Sequence, residues 1–308
     1  MTLQQLRYIM AVDKYRSFAR AADHCGVTQP TLSKMVANLE EELDVRIFER
    51  TNKSVAPTDM GRKILAQASI AVMEAGRITE IVNEARGEVG GNLRLGVGPS
   101  IAPYILPKFI HGFVAECSAV NLSVEEMRFE AMSVALLTGQ MDIGIAIGGH
   151  RVDGLLEIPL YEEPFWLYIS EESRGVMPEF DPERLRKESM WVMKEAHCMR
   201  ESAFSFCKAK TKGRHIYEAG SIETLIRIVD ENGGFTIIPE MHLPFLSDRQ
   251  RENVGPIEGD YLSQRRVSLY IRQDYIRQAM LGSITNTLLR FMPKDMMEER
   301  IVKYGIKL

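Results

Sequence analysis

The chain has 308 residues, 45% apolar and 26% charged, enough for two or three domains of ordinary composition. A net charge of −4 advertises no nucleic-acid binding by the chain as a whole, although a small DNA-reading domain can sit inside a neutral total. Four irregularly placed cysteines exclude a disulfide framework and suggest a reducing, cytoplasmic compartment; no secretory leader opens the chain and no apolar run reaches membrane-spanning length.

Short helices are expected over the first sixty residues. Thr2 and Gln5 have the spacing of a capping box, with Leu3, Leu6, Ile9 and Met10 on one face. Ser17 can cap a second helix, "SFARAADHC", and Gly26 supplies a turn. Thr28 can cap a third, "QPTLSKMVANLEEEL", with Pro30 in its first turn and Leu32, Val36 and Leu39 as its buried stripe. "VRIFERTNKSVAPT" alternates and then turns, as a small β-wing does. Thr58 to about Arg86 reads as one long helix whose Ile64, Ala68, Ala71, Ala75, Ile78 and Val82 form a seam. That seam suits either its own domain or a dimerisation rod. "GEVGGN" (Gly87–Asn92) ends the helix and serves as a linker.

Beyond it, strands are expected at "LRLGV", "MDIGIAI", "FWLYI", "MWVM", "FTIIP" and "VSLYI", with helices after Pro103 and over Ser221–Asn232. That alternation predicts mostly parallel α/β layers.

The front segment has the form of a winged helix-turn-helix. Ala21 and Ala22 allow close helix crossing, and the third helix presents Gln29, Thr31, Ser33 and Lys34 near its N-terminus. Short polar and forked side chains there suit base edges and phosphates in a major groove, with Arg50, Asn52 and Lys53 on the wing beside the backbone. Residues 1–60 hold eight Lys or Arg and eight Asp or Glu, and four of the acids cluster at positions 40–44, at the far end of the third helix. Placement of charge, not its sum, therefore has to carry any DNA contact.

"ARAADHCGVTQPTLSKMVANLEEELDVRIFER" resembles the DNA-binding domain of LysR-type transcriptional regulators over its whole length. In that family the residues at Gln29, Pro30 and Ser33 lie at the DNA. The resemblance implies an α+β winged helix-turn-helix DNA-binding domain (1–58), a linker/dimerisation helix (59–90) and a two-lobed α/β, periplasmic-binding-protein-like effector domain (91–308). Lobe I would take about 91–162 and 267–308, and lobe II about 163–266. It further implies double-stranded DNA and RNA polymerase as partners and assembly from homodimer to homotetramer.

Cys198 and Cys207 lie nine positions apart in "HCMRESAFSFC", with His197 and Arg200 beside the first. A free thiol titrates near ~8.5, and neighbouring positive charge lowers that value and speeds attack on an electrophile. If the segment is helical, nine residues advance about 13 Å, far beyond the ~5.5 Å Cα separation of a disulfide, so closing one must rebuild the segment. The same residues also fit two cysteines packed on a helix with Phe204 and Phe206; the spacing is not that of a zinc site. Cys25 and Cys117 read as structural.

This segment is similar to that of the hydrogen-peroxide sensors within the LysR family. The resemblance implies that Cys198 is the peroxidatic and Cys207 the resolving cysteine of a redox-active disulfide, reset by glutaredoxin or thioredoxin, with no cofactor and no metal. It places Ser100, His197, Arg200 and Arg266 at the peroxide pocket. A serine after a strand equally caps the next helix, a histidine is equally a packed one, and an arginine there is equally a solvated strand-edge residue. Phe129 stands where several relatives carry a threonine. The expected function is a non-enzymatic peroxide-sensing regulator of antioxidant genes; the alternatives are a LysR-type regulator sensing a metabolite between its lobes and a thiol peroxidase.

Overall fold

The computed structural model describes residues 1–50, 55–86, 89–176, 189–193, 213–217, 221–257 and 264–297. Two compact units result, Met1–Glu88 with Val134–Gln140 and Val89–Ser133 with Met141–Leu308.

In the first unit the capping box forms: Thr2 accepts from the Gln5 amide and Gln5 Oε1 accepts from the Thr2 amide at the head of α1 (Leu3–Tyr15). Leu3, expected on the buried face, is exposed, because Gln5 and Leu6 take the inward positions of the first turn. Ser17 and Thr28 cap α2 (Phe18–His24) and α3 (Gln29–Glu42), accepting from the amides of Arg20 and Thr31. Gly26 turns between them at φ +65°, a region that strains L side chains. Leu32, Val36 and Leu39 are fully buried among Leu6, Ile9, Val12, Ala21 and Ala22, each large aliphatic contributing about 1.5–3 kcal/mol by leaving water.

The wing is β1 (Phe48–Arg50) paired antiparallel with β2 (Val55–Pro57). Glu40 accepts from the amides of Ile47 and Phe48 at 2.8 and 3.1 Å, so one acid of the 40–44 cluster ties the wing to α3. The long α4 (Asp59–Ala85) begins against the same strand. A Cβ on Gly61 would stand 2.0 Å from the Ile47 carbonyl oxygen, so only glycine lets the helix start there. The first half of α4 packs on α1, whereas Ile78, Ile81 and Val82 in its second half are exposed.

The second unit is built on one curled, mixed sheet in the order β4-β3-β5-β11-β6-β9-β7-β8, with β10 on β6. β3 (Gly91–Val97) pairs in parallel with β4 (Val120–Glu126) and β5 (Ile143–Ile147), and β7 (Ser189–Met193) in parallel with β8 (Gly213–Tyr217) and β9 (Phe235–Pro239). The fifteen-residue β6 (Leu155–Ile169) pairs antiparallel along its first part with β11 (Gln264–Arg272) and along its last part with β9 and β10 (Val254–Pro256). β11 is antiparallel to β5 as well. The mostly parallel sheet expected from the alternation is thus corrected to a mixed one. The cause is that β6 and β11 run as an antiparallel ladder through the middle and join two parallel groups, giving a two-lobed α/β fold.

α5 (Ala102–Glu116) and α10 (Gln278–Leu289) pack with the first group of strands around Leu95, Ile105, Phe109, Ile145, Leu269 and Leu281. The second group carries Tyr168, Ile238 and the Leu225, Ile226 and Val229 stripe of α8 (Ile222–Asn232). Tyr104 of α5 also lies in this second cluster. The remaining helices are α6 (Phe129–Leu137), α7 (Glu171–Val176) and α9 (Asp248–Arg251), and a 3-10 turn spans Glu240–Phe245.

Candidate functional site

In the first unit the tip of α3 is the candidate DNA surface. Gln29, Pro30, Thr31 and Lys34 are exposed and Ser33 is half-buried, because the inward positions of this amphipathic helix go to Leu32, Val36 and Leu39. The Thr28 and Thr31 hydroxyls are 2.8 Å apart and lock the first turn. A helix N-terminus with free amide hydrogens and a nearby lysine favours phosphate. At the opposite end Glu41, Glu42 and Asp44 are exposed and Glu42 pairs with the N-terminal amine at 2.5 Å, so the acids stand away from the tip. Arg50 faces Val55 across the wing, while Asn52 and Lys53 lie outside the described residues.

In the second unit Ser100 sits in the turn between β3 and α5 and is buried. It is not a helix cap: Ile101 occupies the N-cap and no side chain caps α5 there. Instead Ser100 receives an arginine. Arg265 donates to the Ser100 hydroxyl at 3.3 Å and to its carbonyl oxygen at 3.2 Å. Arg265 also donates through Nε to Glu163 Oε2 at 2.7 Å, and Glu163 Oε1 accepts the Met241 amide at 2.9 Å. Both charged side chains are essentially removed from water. Burial alone would lower the Arg265 pKa; the Glu163 carboxylate and the neighbouring Tyr161 and Tyr104 outweigh it and leave that pKa raised. The guanidinium lies over the Phe165 ring, 5.8 Å from its centre.

Arg266, the expected pocket arginine, is corrected by this geometry. It is exposed on the other face of β11 and donates to Glu162 Oε1 at 2.9 Å. Strand alternation is the reason: Arg265 shares its face with the buried Val267, Leu269 and Ile271, and Arg266 cannot. That period-2 pattern was the signal available in "QRRVSLYIR".

One helical turn along α5, the Tyr104 hydroxyl shares a hydrogen bond of 2.9 Å with Nδ1 of His242 on the 3-10 turn. Both residues are buried, and burial holds the His242 pKa down at about 4, with Glu223 opposing. The segments at 100–104 and 241–242 are therefore joined twice, through Arg265–Glu163 and through Tyr104–His242. Phe129, at the head of α6, stacks on His150 with ring centres 4.0 Å apart and tilts against Tyr270 at 4.7 Å. Burial lowers the His150 pKa against the influence of Glu130 and Glu157.

Cys198, Cys207, His197 and Arg200 lie outside the described residues. Cys25 and Cys117 are free thiols; Cys117 is buried in the core beside α5, and burial pushes the Cys25 thiol up, away from thiolate chemistry. Among the described residues no helix is long and apolar enough to cross a membrane.

Residues 3–62 match the bacterial regulatory helix-turn-helix proteins of the lysR family, and residues 86–292 match the LysR substrate binding domain. The chain is 30% identical over 256 residues to a hydrogen peroxide-inducible genes activator of Haemophilus influenzae, covering 82% of this chain and 84% of that protein. It is 30% identical over 259 residues to the DNA-binding transcriptional dual regulator OxyR of Escherichia coli, covering 82% and 83%. A solved full-length OxyR variant from Pseudomonas aeruginosa superposes with a TM-score of 0.75 at 28% identity, over 94% of each chain.

Proposed function

The chain belongs to the LysR family of bacterial regulatory helix-turn-helix proteins, and from that premise we propose that it is a hydrogen-peroxide-sensing transcriptional regulator. Its likeness to two peroxide-responsive activators over more than four-fifths of its length carries the reading. In this reading 1–58 bind DNA, 59–90 form the linker helix and 91–308 sense the signal, with lobe I at about 91–162 and 267–308 and lobe II at about 163–266. Gln29, Thr31, Ser33 and Lys34 meet the major groove, and Arg50, Asn52 and Lys53 its flank. The exposed Ile78, Ile81 and Val82 of α4 offer a face for a second copy. The protein acts in the cytoplasm, with RNA polymerase as its partner at the promoter.

The Cys198 thiolate attacks one peroxide oxygen, the O–O bond breaks and one water leaves after protonation. Cys207 then displaces hydroxide from the sulfenic acid, so two thiols and one peroxide yield a disulfide and two waters. Glutaredoxin or thioredoxin restores the thiols, which makes the protein a stoichiometric sensor and not an enzyme. Ser100 supplies a hydrogen-bonding hydroxyl to the pocket, and Arg265, in place of Arg266, supplies the charge beside it.

Thiol counting before and after low peroxide tests the reading. Two thiols per chain are lost, operator footprints change, and Cys198→Ser abolishes both responses while DNA binding persists. A chain that keeps all its thiols and answers to a metabolite instead defeats it.

A further inference from the structure

We propose that Tyr161 marks a buried binding site, beside Arg265, for one small hydroxylic molecule: a water at rest, exchanged for hydrogen peroxide when oxidant arrives. The peroxide half rests on the function proposed above; the water half stands without it.

Tyr161 is 1% exposed, and among the described residues nothing hydrogen-bonds its hydroxyl. Buried hydroxyls in folded proteins almost always hold a protein group or an ordered water, so this one is aimed at a place where a small partner fits. The register of the central ladder locates that place. Tyr161 lies opposite Val267 and Glu163 opposite Arg265, so Tyr161, Glu163 and Arg265 share one face of the sheet. Ser100 and Tyr104, one turn apart, come to the same neighbourhood from the start of α5, and Arg265 reaches Ser100. The Tyr161 hydroxyl also feels the charges of both Glu163 and Arg265.

The surrounding groups are already committed, which narrows the occupant. Glu163 gives one oxygen to Arg265 and the other to the Met241 amide, and the Tyr104 hydroxyl is held by His242. Arg265 has five N–H donors, and its contacts to Glu163 and Ser100 use three. The remaining guanidinium donors and the Tyr161 hydroxyl leave a donor-rich place that asks for lone pairs. Glu163 cancels the charge of Arg265, so the site is neutral in sum and disfavours an anion. A molecule that is small, uncharged and both donor and acceptor meets those terms. Water does so, and hydrogen peroxide is a water with one more oxygen.

Tyr161→Phe removes one oxygen and keeps the shape, so it tests the site in the full-length reduced protein. If a water is held there, the melting temperature falls by about 3 °C. If peroxide takes its place, the rate constant for thiol loss with hydrogen peroxide falls about tenfold, the worth of one hydrogen bond, while the rate with diamide, a thiol oxidant without a hydroxyl, is unchanged. A lower melting temperature with equal peroxide rates assigns the site to water alone. An unchanged or raised melting temperature together with equal peroxide rates overturns the proposal. A parallel fall with both oxidants removes peroxide as an occupant and leaves the melting result to decide for water. Wild-type protein that loses no thiol to peroxide would defeat the sensor reading, and the melting comparison would still decide the site.

Discussion

In the helix-turn-helix, Leu32, Val36 and Leu39 are buried against other apolar side chains, and the caps Thr2 and Thr28 are exposed. In the effector unit, Arg265, Glu163, Tyr104, Tyr161 and His242 are buried together where β6, β11, α5 and the 3-10 turn meet. Apolar contacts are non-directional, so the first region tolerates any side chain of similar volume that keeps its stripe. Hydrogen bonds and ion pairs are directional, and burying them costs desolvation. The second region thus gives up stability to hold the segments at 100–104 and 241–242 in one arrangement. A sensor needs that: the turn carrying Ser100 is where its pocket is expected.

The largest effect that tests this contrast comes from Glu163→Ala. It leaves the Arg265 guanidinium buried without its carboxylate and frees the Met241 amide, for a loss of about 3–5 kcal/mol in urea unfolding. Replacing both members of the pair with apolar residues of similar volume recovers most of that loss, because the desolvation cost goes with the charge. A Glu163→Ala loss below about 1 kcal/mol would mean that water reaches the pair, and the two regions would then differ in name only.

Acid acts next. The His242 pKa is depressed from 6.5 to about 4 in the fold, so the unfolded chain binds its proton first. Stability from this group is complete above pH 6.5 and is lost as the pH falls toward 4. Protonation also disturbs the Nδ1 contact to Tyr104, loosening one of the two links between the segments. Unfolding followed across that window should show wild type losing stability faster than His242→Gln, which cannot titrate. Equal slopes would remove His242 from the junction's balance.

What the sequence disclosed follows the same division. The caps at Thr2, Ser17 and Thr28, the turn at Gly26 and the Leu32–Val36–Leu39 stripe are local signals within a few residues, and each is found where its spacing puts it. The junction is non-local: Tyr104 meets His242 across 138 positions and Arg265 meets Glu163 across 102, and no short window contains either pair. β4, "VNLSVEE", was hidden because this edge strand carries mostly polar residues. The first part of β6 was hidden by Pro159, where the ladder shifts register against Val267 and Ser268. The mixed sheet followed from those omissions. The α6 segment "FEAMSVALL" is apolar nearly throughout and shows too little periodicity to declare a helix.

The smallest expected effect belongs to the helix-turn-helix. Thr28→Ala removes the hydroxyl that accepts from the Thr31 amide and touches the Thr31 hydroxyl. Both residues are exposed, so water can solvate the freed amide and the loss is about 1 kcal/mol in thermal unfolding. The same change loosens the turn that presents Gln29, Thr31 and Lys34, so DNA affinity falls modestly for all sequences alike, as expected when a phosphate-facing helix end frays. A loss above 3 kcal/mol would show the cap to be as tightly coupled as the Arg265–Glu163 pair, and the distinction between a tolerant, surface-capped region and a directional, buried one would not survive it.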